Sequence, residues 1–476
     1  MKIPGTKVVI KATTKDAMDL FRKGNRVLAK METNGIKIDV EYIRQQFKVI
    51  NRQVEEKTKN LNKYKDVIVP WKRKYGKKMN FGSPDQIGDI FYNVLGYECK
   101  ERTSTGKPKT SADALSKIDH PFIKDRNEIA RLKKAKGTLK GIYREIDENG
   151  YLHTVFNLNL ARTFRSTSDS PNFQNIQVRD PEMAKLVRKS FVSRFKNGRI
   201  VENDFKTLEV GIATCYHKDP TMLRHLLEGY DYHRNLASRL FCCKPEQVSK
   251  EARFEAKNKF VFAQFYGDYY VSCAKNLWER MDHLKVGEVP MKKWLKKKGI
   301  KKLGECDPKS KPKKGTFEYH VMKVENYFWD KEYPVYTKWR SNWYKQYQKT
   351  LKIPMYTGFV SQGVYRRNQV INFPVQGAAF HCLLWAACEI EKELRKRGMK
   401  TLLIGQIHDC LLADVPDDEL QDYLNIVHHT ISVKLPKKWD WIIVPMEVEA
   451  EVCPIGGSWY DKKPWVRKDK TWQLAA

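Results

Sequence analysis

The stretch GQIHDCLLADV, residues 405–415, places a histidine and an aspartate between two apolar runs. Short apolar runs of this kind are typical of strands, and the pair His408–Asp409 falls where a tight hairpin turns. Aspartate is common in turns because its carboxylate bonds to nearby backbone groups. The pair alone therefore predicts a hairpin, and a chemical role for Asp409 depends on residues elsewhere.

A second aspartate ends another predicted strand, in RIVENDFKTLEVGIATCYHKDP, residues 199–220. Asp204 follows Ile200 and Val201, and a helix is predicted from Leu208. An aspartate at a strand–helix junction is often only an N-cap. Phosphoryl transfer, however, uses two divalent ions about 4 Å apart, held by carboxylates, and Mg²⁺ prefers carboxylate and phosphate oxygens. Asp204 and Asp409 are candidates for that pair.

Further titratable residues follow along the chain. Glu209 comes five residues after Asp204, and His233 follows in DYH, residues 231–233. Arg253 and Lys257 are four residues apart in ARFEAKNKFVFAQFYGDYY, residues 252–270. On a helix these two cations share a face and form two prongs for phosphates. Taken alone, the pair also fits a solvated helical face.

The composition indicates an anionic partner. The 476 residues include 89 Lys and Arg against 56 Asp and Glu, a net charge of +33. Nucleic acid fits because Lys and Arg release counterions from phosphates, and the 12 Trp, 23 Tyr and 21 Phe offer faces for base stacking. The sequence shows no basic amphipathic anchor or long apolar run that favours a membrane. The ten cysteines lack zinc spacing and are expected to be reduced thiols of an intracellular protein.

The predicted elements change along the chain. LFRKGNRVLAKMETNGIKID, residues 20–39, predicts a helix that ends at Asn34–Gly35. The lysine-rich stretch KKWLKKKGIKKLGECDPKSKPKK, residues 292–314, is expected to be a solvated loop. Helical patterns dominate residues 1–150 and 246–350, and strand patterns follow residue 151 and occupy the end, around TLLIGQIHDCLLADV and WIIVPMEVEAEV.

Several short motifs occur in a fixed order over almost the whole chain. They are ARTFRSTSDSPNFQNIQ (161–177), NDFKTLE (203–209), RFEAKNKFVFAQFYG (253–267), NFPVQGAA (372–379) and IHDC (407–410). The second resembles motif A (DYSQIE), the third motif B, and the last motif C (VHDE) of the DNA polymerase I family, family A, particularly its phage members. The order and separations of the motifs are far more specific than any one of them.

The resemblance implies an α/β (α+β) right-hand polymerase fold, with an antiparallel-sheet palm and helical thumb and fingers. It implies a thumb at 1–150, the first part of which touches the palm. The first part of the palm, with motif A, is expected at 151–245. The fingers, with motif B, are expected at 246–365, and the second part of the palm, with motif C, at 366–476.

The resemblance also implies roles for single residues. Asp204 and Asp409, with the backbone carbonyl of Phe205, would bind two Mg²⁺ ions, for which Mn²⁺ substitutes. Glu209 would lie beneath the sugar of the incoming nucleotide and exclude a 2′-hydroxyl. The residues implied to contact the nucleotide are His233, Arg253, Lys257, Phe262 and Tyr266, with Lys257 also catalytic. The residues implied to contact primer–template DNA are Arg165, Asn172, Gln174, Asn372, Gln376 and His408.

The implied activity is template-directed DNA synthesis from deoxynucleoside triphosphates (dNTPs). A monomer in the cytoplasm of a bacterium or a phage-infected cell is expected, with room for a separate exonuclease or a processivity factor. The alternatives are a single-subunit RNA polymerase and a non-catalytic nucleic-acid-binding relative. Glu209 and NFPVQGAA favour DNA over RNA, and the presence of both Asp204 and Asp409 favours catalysis.

The sequence departs from the family pattern at four positions. Cys410 stands where motif C usually has Glu, Phe205 where motif A has Tyr, Phe164 where Gly is usual, and Gly211 where Arg is frequent. The cysteine puts the role of a third acidic group in doubt. The pair Asp39-x-Glu41 resembles part of a proofreading nuclease, but fewer than 40 residues precede it, so we expect a helix start and no proofreading by this polypeptide.

Motif B carries one extra residue. The family spaces Arg, Lys, Phe and Tyr at intervals of four, whereas Lys257 and Phe262 are five apart. One extra residue in a regular helix turns all later residues by about 100°, which would point Phe262 and Tyr266 away from the nucleotide. The spacing therefore predicts a one-residue π-bulge between Lys257 and Phe262, with Lys257 as the phosphate ligand and Lys259 as a bystander.

Overall fold

The structure is a computed structural model that describes residues 3, 5–99, 101–103, 105–176 and 180–475. Gln177, the last residue of the quoted stretch 161–177, lies outside the described residues. The first third is helical, as predicted. Its elements are α1 (Thr14–Asn34), β1 (Ile36–Lys37), α2 (Val40–Asn60), α3 (Lys65–Tyr75), α4 (Pro84–Gly88), α5 (Ala112–Leu115) and α6 (Pro121–Glu145).

Both helix boundaries predicted in this region are confirmed. The helix α1 ends at Gly35, whose φ of 61° favours glycine and whose N–H bonds to the carbonyl of Met31. The carboxylate of Asp39 accepts a hydrogen bond from the backbone N–H of Tyr42 and caps α2. Asp39-x-Glu41 is therefore a helix start.

The next part of the chain alternates strands and helices. Its elements are β2 (Tyr151–Leu152), β3 (Val155–Asn157), β4 (Thr167–Asp169), α7 (Pro181–Arg188), β5 (Gly198–Phe205), α8 (Leu208–His217), α9 (Pro220–Leu227) and α10 (Tyr232–Leu240). A mostly helical part follows. Its elements are α11 (Lys250–Ala256), α12 (Phe262–Phe265), α13 (Tyr270–Arg280), β6 (Lys285–Val286), β7 (Val289–Pro290), α14 (Met291–Lys297), α15 (Phe317–Asn326) and α16 (Pro334–Thr350).

The last part contains most of the main sheet. Its elements are β8 (Lys352–Pro354), β9 (Val360–Gln362), α17 (Arg367–Lys396), β10 (Leu402–Ile407), β11 (Cys410–Pro416), α18 (Leu420–His428), α19 (Leu435–Lys438), β12 (Val448–Val452), β13 (Lys463–Lys468) and β14 (Thr471–Leu474). π-helical turns occupy Asp89–Val94, Lys257–Val261, Tyr327–Glu332 and His429–Lys434.

Six strands form the main sheet, in the order β10-β11-β5-β12-β13-β14. Every neighbouring pair is antiparallel. The central position of β5 gives it a paired strand on both sides. The predicted hairpin is confirmed, since β10 and β11 are joined at His408 and Asp409. The sheet therefore brings Asp204, the next-to-last residue of β5, beside the hairpin that holds Asp409.

The long helix α17 runs through the protein interior despite an internal proline. Pro374 has no N–H, so the carbonyl of Val370 loses its helical partner. The indole N–H of Trp343 donates to that carbonyl at 3.1 Å. In the part of the chain that the structure describes, α17 is the one helix long and apolar enough to cross a membrane, but 78% of its most apolar window is buried inside the protein.

The lysine-rich stretch 292–314 differs in part from the expectation of a solvated loop. Its first six residues belong to α14, and the side chains of Leu295 and Ile300 are buried. Most of its lysines remain at the surface, but the apolar residues between them contribute to the core and fix a short helix. The strand predicted around WIIVPMEVEAEV is shorter than its pattern, because pairing begins only at Val448.

A buried polar contact ties α1 to the sheet. Asp414 on β11 is fully buried and accepts hydrogen bonds from the Ser193 hydroxyl at 2.5 Å and from the Arg194 backbone N–H at 2.9 Å. The Arg194 guanidinium bonds to Asp414 and also donates to the carbonyls of Asn34 and Gly35, at 2.8 and 2.6 Å. The end of α1 is thereby fixed against the central strands.

We expect Asp414→Ala to destabilise the protein by about 3–5 kcal/mol, since it leaves the largely buried Arg194 charge without its partner. Urea unfolding followed by circular dichroism measures the change. Asp418→Ala, at an exposed position shortly after β11, should change stability by less than about 0.5 kcal/mol. Equal midpoints for the two variants would show that the contact is not stabilising.

Candidate active site

The two predicted carboxylates meet at the open end of the main sheet. Asp204 is directly opposite Cys410 in the pairing of β5 with β11, so it neighbours the residue that follows Asp409. The backbone N–H of Phe205 donates to the carbonyl of Asp409 at 3.2 Å, which closes the ladder at the hairpin tip. Asp204 is near the end of a strand and Asp409 is in a turn. Side chains at such positions are not covered by neighbouring strands, so both carboxylates can face a ligand.

Each carboxylate sits where ionisation is unfavourable. Loss of surrounding water, followed by repulsion from Asp409, raises the pKa of Asp204 to about 7, although part of its surface remains accessible. Burial, followed by the charge of Glu209, raises the pKa of Asp409 to about 6, while Arg165 opposes the shift. Two crowded carboxylates of this kind are stabilised by a cation between them.

The donor set fits a divalent metal. The Oδ1 atom of Asp409 makes no hydrogen bond, and the Nη2 of Arg165 lies 3.6 Å from it. Among the described residues, no three His, Cys, Asp or Glu side chains are grouped closely enough to hold an ion. Mg²⁺ suits such a site, because it binds through one or two carboxylates and takes its remaining oxygens from water and substrate phosphates.

Arg165, Glu209 and Tyr266 form a connected group beside Asp409. The Nη2 of Arg165 donates to Oε1 of Glu209 at 2.5 Å, and the hydroxyl of Tyr266 donates to Oε2 at 2.5 Å. A small cavity of about 20 Å³ lies between Glu209, Tyr266, Phe262, Asn372 and Gln376. The structure therefore brings together residues predicted to contact the nucleotide and residues predicted to contact DNA; the first are Glu209, Phe262 and Tyr266, and the second are Arg165, Asn372 and Gln376.

Two of the residues predicted to hold phosphates lie against the ring of Phe262. The ammonium of Lys257 is 5.3 Å from the centre of the Phe262 ring, and His233 meets the same ring edge-on at 5.9 Å. His233 is 3% exposed, and neither of its ring nitrogens has a hydrogen-bond partner. Burial, followed by the charge of Lys257, lowers the pKa of His233 to about 3, so the ring is neutral near pH 7 and one nitrogen can donate.

Arg253 is held in place by an aspartate that the sequence analysis did not single out. Its Nε donates to Asp231 at 2.8 Å and 3.1 Å. A cavity of about 560 Å³ opens beside Arg253 and His233 and is also lined by Lys206. Burial, followed by repulsion from Arg253, lowers the pKa of Lys257. The cavity has room for a phosphate chain, and its two cations, Lys206 and Arg253, are each paired with a carboxylate of the same lining.

The predicted π-bulge in motif B is confirmed. Lys257–Val261 is π-helical, and the N–H of Phe262 bonds to the carbonyl of Lys257, five residues back. The extra residue is taken up within this turn, so Lys257 and Phe262 stay in contact with each other. Lys259 lies within the turn and is partly buried.

The residues predicted to contact DNA differ from one another in their exposure and in their hydrogen bonds. The amide of Gln174 donates to Ser166 and Gln406, at 2.9 and 2.7 Å, and Gln406 in turn donates to the carbonyl of His408. Gln174 is thus connected through Gln406 to the backbone of the hairpin tip. His408, with φ of 51°, is exposed on the turn, and Asn172 is exposed next to β4.

The departure at Phe164 has a structural explanation. Phe164 adopts φ of 57°, the left-handed conformation that the glycine usual at this position takes without strain. The Phe164 ring lies 5.0 Å from Phe359, so packing offsets a conformational cost of about 1 kcal/mol. Close by, a Cβ on Gly377 would lie 2.6 Å from the carbonyl of Thr163, and only glycine allows α17 to approach the loop that carries Arg165.

The comparisons with known proteins agree with this site. Residues 44–289 and 344–461 match the sequence model of DNA polymerase family A. DNA polymerase I of Lactococcus lactis subsp. cremoris is 28% identical over 444 residues, 92% of this chain and 45% of that protein. The DNA polymerase of Bacillus phage SP01 is 27% identical over 405 residues, 81% of this chain and 40% of that protein. The chain thus spans less than half the length of these curated relatives.

A solved structure has the same fold. The POL domain of Pol1 from M. smegmatis, in complex with DNA primer-template and dNTP, superposes with a TM-score of 0.72 at 22% identity, over 92% of this chain and 70% of that chain. The predicted right-hand polymerase fold, with an antiparallel sheet, is confirmed by this likeness. Since the family match covers more than half of the residues and includes motifs A, B and C, the protein belongs to DNA polymerase family A.

Proposed function

We propose that the protein carries out template-directed DNA synthesis, adding deoxynucleoside monophosphates to a primer 3′ end with release of pyrophosphate. The observation that carries the proposal is the meeting of Asp204 and Asp409 at one edge of the sheet, near a cavity lined by His233 and Arg253. Relatives named DNA polymerase support it, as does the family match.

Asp204, Asp409 and the carbonyl of Phe205 are the proposed ligands of two Mg²⁺ ions, with Mn²⁺ as a substitute. When bound, the ions supply positive charge to the attacking and leaving oxygens of the phosphoryl transfer. The protein supplies the remaining interactions. Phosphate oxygens are bound by His233, Arg253 and Lys257, the last of which also neutralises charge on the leaving pyrophosphate.

The other residues orient the nucleotide and the DNA. Phe262 packs against the base and sugar, and Tyr266 closes the site beside the template. Glu209 fills the space beneath the sugar, so that a 2′-hydroxyl is excluded. Arg165, Asn172, Gln174, Asn372, Gln376 and His408 are the proposed contacts to primer–template DNA. Gln174 acts at least in part by supporting the hairpin that carries His408.

We assign the thumb to 1–150, the palm to 151–245 and 366–476, and the fingers to 246–365. The net charge of +33 supports DNA as the partner. A monomer in the cytoplasm of a bacterium or a phage-infected cell is proposed. Primer extension with deoxynucleotides and with ribonucleotides, each with and without Mg²⁺, tests the proposal and separates it from an RNA polymerase and from a non-catalytic relative.

Asp204→Ala and Asp409→Ala should each lower primer extension by at least about 10³-fold, the scale on which electrostatic stabilisation of a transition state is lost. Duplex binding in an electrophoretic shift assay should change little, because it depends on the basic surface. Cys410→Ser, which keeps the size of the neighbouring side chain, should retain most activity. Extension at a near-normal rate by Asp409→Ala would exclude a catalytic role for the hairpin.

Lys257→Ala should slow single-nucleotide incorporation by on the order of 10²-fold, because it removes a cation from the leaving phosphates. Lys259→Ala, the control within the same π-turn, should change the rate by less than about threefold. Rapid-quench measurements of the two variants give both numbers. Equal losses would mean that the helix presents a different face to the nucleotide.

Glu209→Ala should lower the preference for deoxynucleotides over ribonucleotides by at least about tenfold in kcat/KM, equivalent to about 1.4 kcal/mol. The reason is the space that opens beneath the sugar. Glu209→Gln keeps that volume and should keep most of the preference, which separates shape from charge. If the two variants lose the preference equally, exclusion by volume is wrong.

A further inference from the structure

Asp204 has two cross-strand neighbours, because β5 is paired on both sides. Cys410 on β11 is opposite it toward Asp409, and Glu449 on β12 is opposite it on the other flank. Directly opposed residues of an antiparallel sheet project from the same face. Asp204 therefore stands in a row between a thiol and a second carboxyl group.

The thiol is unsuited to a hard divalent cation. Cys410 is 6% exposed, and burial raises the pKa of its thiol well above the usual range, so it remains protonated. Mg²⁺ selects oxygen ligands over sulfur. The flank of Asp204 toward Asp409 thus gains no additional ligand from this cysteine.

Glu449 differs from the neighbouring acids along the same segment. Glu447 forms an ion pair with Lys206 at 2.7 Å, and the carboxylate of Glu451 is paired with Lys462. Glu449 is exposed and, among the residues that the structure describes, has no hydrogen bond or ion pair through its side chain. A free carboxylate at this position is available for a ligand.

The flank that Glu449 occupies faces the phosphate-binding side of the site. Its charge acts on Asp204 and also on Lys257, whose pKa it raises against the effect of burial. The buried and unpartnered ring of His233 opens on the cavity at this side. Glu449 is thus close to the place where a triphosphate and its metal arrive, and Asp409 is on the opposite side of Asp204.

We propose that Glu449 is a third carboxylate of the active site, which positions the divalent ion that accompanies the nucleotide triphosphate. It acts through a water on that ion, since the three carboxylates are not grouped closely enough to hold an ion directly. Mg²⁺ keeps several of its waters in such sites. The inference rests on the proposed polymerase function and adds a residue that motifs A, B and C do not contain.

The competing role for Glu449 is to hold Lys257 before the nucleotide binds. The two roles have opposite consequences. If Glu449 contacts the metal through a water, removal of its carboxylate weakens metal binding. If Glu449 instead holds Lys257, removal of its carboxylate frees Lys257 and strengthens nucleotide binding, and metal binding does not change.

The test measures Mn²⁺ binding without turnover. Protein, primer–template with a dideoxy-terminated primer and the matching dNTP are titrated with Mn²⁺, and free Mn²⁺ is measured by electron paramagnetic resonance. Glu449→Gln should weaken the nucleotide-linked Mn²⁺ site about tenfold, the lower end of the effect of removing an outer-shell partner. Asp418→Asn, which removes an exposed acid shortly after β11 and outside the cavity, should change it by less than about twofold. Glu449→Asp, which keeps the charge, should retain most of the affinity.

Glu449→Thr is measured together with Glu449→Gln, because threonine is favourable in a strand. Thermal melting of both variants shows whether each is folded, so that a folding defect in one variant does not decide the outcome. In extension assays the Mg²⁺ concentration for half-maximal rate should rise, while primer–template affinity in EDTA stays constant. Unchanged Mn²⁺ affinity in either folded variant, or tighter nucleotide binding, overturns the inference. If the unmodified protein fails to extend any primer, the proposed function fails instead.

Discussion

The antiparallel register of β5 between β11 and β12 is the constraint on which the site depends. It aligns Cys410, Asp204 and Glu449 across three neighbouring strands, and Asp409 lies in the turn directly before Cys410. Because side chains alternate between the faces of a strand, a slip of one residue would send Asp204 to the opposite face. The register is fixed at both ends, by Asp414 with Arg194 at one and by the bond from Phe205 to Asp409 at the other.

That register places the carboxyl groups of Asp204 and Asp409 close together, and the surrounding residues reduce the repulsion between them. Burial and mutual repulsion raise the pKa of Asp204, and burial with the charge of Glu209 raises that of Asp409, so the site disfavours its own full ionisation. Arg165 reduces the repulsion at Asp409 but is also bonded to Glu209, and Lys257 is desolvated near Asp204. A site with crowded carboxylates on one side and the desolvated ammonium of Lys257 on the other is complementary to a metal–triphosphate complex, which carries both charges.

Local patterns are sufficient to predict the hairpin and the strand that carries Asp204 near its end, because each depends on residues close in sequence. The π-turn is predicted only by comparison with the spacing that motif B has in the family. The lysine-rich segment was predicted less well, since the burial of Leu295 and Ile300 depends on distant elements. Asp231 and Glu449 were missed for the same reason. The alternating acids of VEAEV indicate a strand with one polar face, but only the pairing of that strand with β5 shows which glutamate lies beside Asp204.

The extra residue in motif B shows how the fold accommodates a change in spacing without losing the site. A regular helix would carry the insertion forward as a rotation of about 100° and separate Lys257 from Phe262. The π-turn replaces a bond of four residues with one of five, from Phe262 to Lys257, so the rotation is confined to a single turn. The cation then lies over the aromatic ring at 5.3 Å, a contact that is favourable by itself. The π-turn therefore keeps the Lys257 ammonium beside the Phe262 ring although the number of residues between them differs from the family pattern.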